Sequence, residues 1–414
     1  MGTRLLIVLA ALAACERTST KYCGLHPMDY LNCAAPDGAL VGCTGNSDCP
    51  KNLPRCETGQ GLCVQCLDDM DCMTPTPRCD LQGHECVQCA SDGDCTPGSR
   101  CLVNGVCSND NNVAYVDTGG KDNPDCTQAM PCMTTTAGLK TGKPYVQLNG
   151  TFNERGGIVL ANGTNVTIFG TPGTSYTRSD GGDTITLGMG GTVGIASLEI
   201  TCNNATGHAI KTGMPGSYTF SQLTIHGCQF GMQVAGSLTM TRSKIYGNSI
   251  NGVSLMGPTH FEITNSMFVQ NGGPGNDVAA GGVVLGMGTT GDTFEFNTVA
   301  DNTVKAMGAN VGGVACPGMG FTAPNNIFAS NVGVMGANSM SSNTTPGCDE
   351  GSLSSMTDVP LKFVNPATTP FDYHVMPGSS AVDSDTMPDT TITEDYDGQM
   401  RPRGNGWDFG ADEL

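Results

Sequence analysis

The chain has 414 residues and a formal net charge of −19, from 38 acidic against 19 basic side chains. That balance excludes binding to nucleic acid or to anionic membrane surfaces by general electrostatics. Charged residues are only 14% of the chain, while Gly numbers 58 and Cys 21, as a turn-rich exported β protein with persistent disulfides would need.

Residues 5–14 form an apolar run ending Leu12-Ala13-Ala14, directly before Cys15 and just after the basic Arg4. One basic residue, a short apolar stretch and small residues describe a secretory signal, too short to span a bilayer as a helix. Leu-Ala-Ala-Cys resembles the lipobox of bacterial lipoproteins. The resemblance implies removal of residues 1–14 and lipid attachment at Cys15, so that the mature protein meets a membrane only through its anchor. The expected location is extracytoplasmic, at the outer membrane or cell surface. Residues 15–42 read as a lead-in in which Cys23 and Cys33 pair. Setting Cys15 aside leaves 20 cysteines, an even number, as a disulfide framework requires.

From 43 to 107 the text repeats every 23 residues: Cys43, Cys66 and Cys89 open three units of four cysteines. An Asp (Asp48, Asp71, Asp94) precedes each second cysteine and an Arg (Arg55, Arg78, Arg100) each third. Units this small cannot bury an adequate core, so disulfides must stabilise them, each by about 2–4 kcal/mol. Two bridges per unit are expected, with three connectivities open. Cys63-x2-Cys66 and Cys86-x2-Cys89 also have a zinc-ribbon spacing. Both pairs are repeat junctions in an oxidising compartment, so the expectation is a metal-free array with each Asp as a turn cap. Such arrays resemble the cysteine-rich repeats of bacterial surface proteins, which act as stalks or partner-binding modules.

Six later segments superimpose on one column. Their third positions are Ile200, Ile225, Ile245, Phe268, Val299 and Phe328, and three residues on stand Asn203, Cys228, Asn248, Asn271, Asn302 and Asn331. The strand-like alternation and the 20–31-residue steps read as the coils of a parallel β-helix, stacked so that apolar rows merge into one core. Asn is expected at the turn because it tolerates the left-handed conformation, and stacked Asn amides can bond as a ladder. Cys202 and Cys228 fall on adjacent coils, with Cα atoms expected roughly 6 Å apart. They are predicted to pair, as are Cys316 with Cys348 and, in an earlier loop, Cys126 with Cys132.

The text from Ala114-Tyr-Val-Asp-Thr-Gly-Gly through Cys126 and Cys132 to Gly150-Thr-Phe-Asn-Glu154 resembles the opening of right-handed β-helix proteins of the pectate-lyase-like superfamily. There a Cys-containing loop leads to a short helix that caps the first coil; Phe152 replaces the usual Tyr. Residues 363–413, with Asp397-Gly-Gln-Met-Arg401 and Asp408-Phe-Gly-Ala-Asp-Glu413, resemble the closing signature of the same proteins. Both ends are expected to cap the coils, and Gly398, Arg401 and Trp407 to be structural. The fold class is therefore all-β: a right-handed parallel β-helix over 112–340, a closing segment over 341–414 and a small disulfide-rich repeat module in front. No cofactor is indicated. Calcium at the acidic stretch 383–397 lacks an EF-hand pattern.

Outward positions beside the column carry Glu199 and Thr201, Thr224 and His226, Lys244 and Tyr246, then Met267 and Val269. On an exposed sheet His226 can act as base, Tyr246 as acid and Lys244 as a clamp on a sugar carboxylate, the toolkit for β-elimination from uronates. The longer turns 272–280 and 305–312 are expected to wall this patch. The resemblance weighs against an enzyme, because the Asn-Thr-Asp, Asp-Asp, Gly-His-Gly and Arg-Ile-Lys motifs of polygalacturonase-like members are missing from the coils. Gly207-His208-Ala209 is the nearest fragment, and the Arg-x-Pro-x-x-Arg of pectate lyases is also missing. The expected function is a non-catalytic surface lipoprotein whose β-helix binds a polysaccharide or a surface protein. A surface-tethered polysaccharide lyase or glycoside hydrolase is the alternative.

Overall fold

The computed structural model describes residues 43–414 apart from 50–53, 59–61, 74–75, 81–84, 90, 103–104, 204–206, 214, 258–259, 287–290, 306–309, 318–320, 336–337, 342–347, 349, 356–359, 386–391 and 404–405. Cys15, Cys23 and Cys33 lie outside the described residues.

The column predicted from the sequence is a sheet in register. Ile200 pairs with Ile225, Ile225 with Ile245, Ile245 with Phe268, Phe268 with Val299 and Val299 with Phe328, all in parallel. A second row runs Val146, Ile168, Ile195, Phe220, Met240, Ile263 and Phe294. A third runs Ile158, Ile185, Ile210, Met232, Val253, Val283 and Val314. Three buried rows from successive strands of each coil converge on one core, so the chain is a parallel β-helix. A single coil could not bury its row alone, and stacking removes each row from water.

The corners carry the conformational cost. Ser197, Gln222, Arg242, Asn265, Phe296 and Asn325 precede the strand of the first column with φ between 48° and 63°. Gln270, Asp301 and Ser330 follow it, with φ of 57°, 55° and 51°. The left-handed residue is thus the one before the Asn, which corrects the turn role expected of Asn itself. The Asn makes the ladder instead. Asn248 Nδ2 donates to Asn271 Oδ1 at 3.0 Å, Asn271 to Asn302 at 3.1 Å and Asn302 to Asn331 at 2.9 Å. Each acceptor oxygen also takes the backbone N–H of the preceding Asn. Each of Asn271, Asn302 and Asn331 further donates to a core-strand carbonyl one coil back, at 2.8 Å. A parallel ladder of Ser243, Ser266, Asn297, Asn326 and Ser352 lines the other corner.

At the N-terminal end the helix Thr135–Lys140, capped by Thr134, packs Ala137 and Leu139 against the end of the core. The Cys126–Cys132 bridge closes the loop before it, and Cys202–Cys228, with Cα atoms 4.9 Å apart, and Cys316–Cys348 join coils. The closing segment begins at the far end, where Leu353–Ser355 adds a rung beside Ile327–Ala329. From residue 361 it turns back over the outer face of the sheet, where Leu361, Phe363, Tyr373, Val375, Ala381 and Ala411 pack on Tyr246, Met267, Val269, Ala300, Ile327 and Ala329. Those outward residues are apolar and would otherwise face water, which is why the segment lies there. Arg401 and Glu413, both fully buried, pair at 2.8 Å, the guanidinium lies over the Phe296 ring, and Trp407 sits beside the same ring.

In the cysteine array, the first cysteine bonds the third and the second the fourth: Cys43–Cys56, Cys66–Cys79, Cys72–Cys86, Cys89–Cys101 and Cys95–Cys107. The sulfurs of Cys66, Cys86 and Cys89, part of the zinc-ribbon spacing, are thus oxidised. Asp48, Asp71 and Asp94 accept backbone N–H groups of their own turns. The repeated Arg reaches the next unit: Arg55 to Asp71, Arg78 to Asp94, and Arg100 to Asp110. The array rests on the coils, with Leu102 in a cluster with Val113, Tyr115, Phe169 and Ala196 and Val64 against Met400.

Asn302→Ala would strand the Asn271 N–H and the Phe268 carbonyl in a dry corner. It should cost roughly 3 kcal/mol or more, read as a lower denaturation midpoint with the same secondary structure by circular dichroism.

Candidate functional site

Parallel register brings His226 beside Tyr246 and Lys244 beside Thr224. The His226 and Tyr246 rings stack with centroids 4.7 Å apart, and the Lys244 ammonium lies 5.2 Å from the Tyr246 centroid. The three candidates are therefore together. Two of them are not exposed, contrary to expectation. Lys244 donates to the Phe371 carbonyl, and Tyr246 is 7% exposed against the Phe371 edge. Burial holds the Lys244 ammonium below the usual lysine value and pushes the Tyr246 phenol up. The closing segment covers the sheet here. The residue that faces solvent with His226 is Glu199, whose Oε1 lies 2.8 Å from His226 Nε2.

Of the turns expected to wall this patch, residues 306–309 lie outside the described residues. Among the described residues, Gly272 bridges to Thr303 and Ala280 to Val311. Gly207-His208-Ala209 stands on another face, where His208 bonds Asp183 at 2.7 Å and stacks on Phe230.

An open cleft of about 880 Å³ lies along the corner where Gly170, Ser197, Gln222 and Arg242 follow one another. Its floor includes Tyr115, Gln147 and Phe169 on one side and Glu199 and Thr224 on the other. One wall is Arg100–Leu102 of the third cysteine unit, and the other is Glu394 and Gly398 of the closing segment. A second hollow of about 420 Å³ adjoins it and shares Leu102, Phe169, Gln222, Arg242 and Glu394. Ser197 Oγ donates to Gln222 Oε1 at 2.7 Å. Arg242 is held by Glu394 at 3.2 Å and by the carbonyls of Tyr396 and Asp397. Sequence reasoning missed this cleft; the only local signal was the polar Ser197 and Gln222 just before the column segments.

Among the described residues, His374, Asp397 and Asp412 are the non-cysteine group whose ligand atoms lie within 4.8 Å of one another. His374 Nδ1 lies 2.5 Å from Asp372 and Nε2 faces Asp397 at 3.2 Å. The imidazole pKa rises to about 9, chiefly through Asp397; burial opposes the rise, and Asp412 and Asp372 add to it. An imidazolium thus supplies the positive charge these carboxylates need. In the acidic stretch itself, Asp395 accepts the N–H groups of Gln399 and Glu413.

The register and the cysteine pairings define the class: a parallel β-helix carrying a disulfide-rich module. No family model matches the chain, and no curated protein matches it. Among solved structures, the crystal structure of the pectate lyase Pel9A is similar at 14% identity, over 73% of this chain and 96% of that one, with a TM-score of 0.39.

His374 generates a pH test. Its folded pKa of about 9 exceeds the ordinary 6.5, so its stabilisation is complete below the ordinary value and is lost as pH rises through the folded one. Denaturation midpoints of the wild type should fall across that window, and His374→Gln should flatten the fall.

Proposed function

We propose that the chain is an exported, lipid-anchored, non-catalytic scaffold whose β-helix binds a carbohydrate. The observation that carries this reading is the fate of the catalytic candidates. Lys244 and Tyr246 are committed to holding the closing segment, while an open, polar cleft of about 880 Å³ stands beside them. With the acid and the clamp engaged by the closing segment, the open cleft supports binding as the use of this face. The disulfides support an oxidising compartment. No described helix is long and apolar enough to cross a membrane, and the anchor is proposed on the Leu-Ala-Ala-Cys15 sequence.

The lyase alternative rests on one pair, Glu199 and His226, whose side chains are 46% and 27% exposed. A general base needs such a positioned imidazole, and this pair would have to act without Lys244 or Tyr246.

Two experiments test the reading. Purified mature protein is screened against immobilised polysaccharides for retention and, in the same solutions, for release of unsaturated or reducing ends. Retention without turnover is expected; turnover that disappears in His226→Ala would establish the enzyme instead. In detergent phase partitioning the wild type should enter the detergent phase and Cys15→Ser the aqueous phase. Identical partitioning and intact mass would remove the anchor.

A further inference from the structure

The outer face of the β-helix changes character along its length. From Met267 onward the outward rows are mostly apolar, with Thr298 between Met267 and Ile327, and the chain covers them with its own closing segment. The corner residues there serve as pegs: Arg242 grips Glu394 and two carbonyls, Gln270 and Asp301 hold Tyr373, and Gly410 N–H bonds the Asn325 carbonyl. On earlier coils the same corner row continues as Ser197 and Gln222, and the outward positions become Glu199, Thr224, Thr201 and His226. Among the described residues nothing covers Ser197 and Gln222, which line the open cleft. The trough runs across the rungs of Tyr115, Gln147, Phe169, Ser197, Gln222 and Arg242, roughly 20 Å at strand spacing.

Resting on the carbohydrate-binding reading above, the geometry points to a neutral glycan chain as the occupant of this cleft, gripped jointly by the coils and the third cysteine unit. Charge decides the class. The two cations that line the cleft are already neutralised, Arg100 by Asp110 and Arg242 by Glu394, while Glu199 adds a carboxylate. A polyanion would meet no surplus positive charge here, on a chain of net charge −19. Polarity decides against a peptide. The floor strands are interior to their sheet, with their backbone groups in the ladder, so no edge is left for strand addition, and Leu102, Phe169 and Ala196 pack on one another. What the cleft offers suits hydroxyl groups. Gln147 makes no side-chain hydrogen bond among the described residues. Gln222 has its oxygen engaged by Ser197, which leaves its amide N–H groups to donate, and Glu199 and Thr224 accept. Such groups stand on three of the rungs, at Gln147, at Glu199 and at Gln222 and Thr224, so a polymer with repeated hydroxyl-bearing units meets this chemistry more than once.

The test uses the mature protein with its array intact and compares Gln147→Ala/Gln222→Ala with Thr239→Ala, an exposed position outside the cleft. Affinities are measured by calorimetry for matched neutral and uronate-containing oligosaccharides and for an unstructured peptide library, at low and moderate salt. The expected result is binding of a neutral oligosaccharide with little salt dependence, weakened about tenfold or more in the double variant and unchanged in Thr239→Ala, with unaltered melting. Neutral-glycan binding unchanged in the double variant would overturn the site and leave the scaffold reading standing. Salt-sensitive binding of uronates alone would overturn the ligand class. Peptide binding lost in the double variant, or no glycan bound by the wild type, would overturn both.

Discussion

The structure depends on the corner ladder. Each coil must turn its backbone sharply at both ends of the first-column strand, and it does so with residues in the left-handed region, most of them not glycine. Each such residue costs about 1–2 kcal/mol, and the turn also withdraws backbone N–H and carbonyl groups from water. A buried Asn answers both demands. Its oxygen accepts a backbone N–H from the coil before, and its amide nitrogen donates to the next Asn and to a strand carbonyl. Because each amide is satisfied only by the coil above and below, the ladder forms only when the coils are in register. A slip by one residue would leave several polar groups unpaired in a dry interior, at about 1–3 kcal/mol each.

From those corners the rest of the outer face follows. A left-handed residue projects its side chain away from the core, so Arg242, Gln270, Phe296 and Asp301 stand outside the coil as a row of fixed contacts. The closing segment is held by that row through Glu394, Tyr373, Arg401 and Trp407, with Met267, Val269, Ala300, Ile327 and Ala329 filling the space between. The Arg401–Glu413 pair at its centre is fully dehydrated. Such a pair is costly to break, because either partner alone is a buried charge, so the segment is fixed in one position rather than merely adhering.

The register of the core was legible in the sequence because it is written as a repeat: an apolar residue and an Asn three places later, in successive coils. The cysteine units were legible for the same reason, although only the structure separates the three connectivities. What the sequence concealed is what covers what. Lys244 and Tyr246 look like surface residues, and as single letters nothing marks them as covered. The signal lay one coil further on, in Met267 and Val269, outward residues too apolar to be left in water. The cleft was hidden more deeply, since its walls come from Arg100–Leu102 and from Glu394–Gly398, nearly 300 positions apart. No local pattern encodes a surface assembled from opposite ends of a chain.

That assembly alters what the cysteine array is for. A stalk needs only length, and the disulfides alone would make one. Here each repeated Arg reaches the Asp of the following unit, and Gln65 and Gln88 bond backbone N–H groups of the units after them. Surface ion pairs are worth about 0–1 kcal/mol each, too little to stabilise the array but enough, in a repeated geometry, to set the angle between neighbouring units. The last Arg continues the series onto Asp110, and Tyr115 on the first strand bonds the same carboxylate at 2.6 Å. The angle is thereby handed from the array to the coil, Leu102 is set down on Phe169 and Ala196, and Val64 reaches Met400. The array touches the opening coil at one end and the closing segment at the other, so the cleft between them exists only once the β-helix, its cover and the array have all folded.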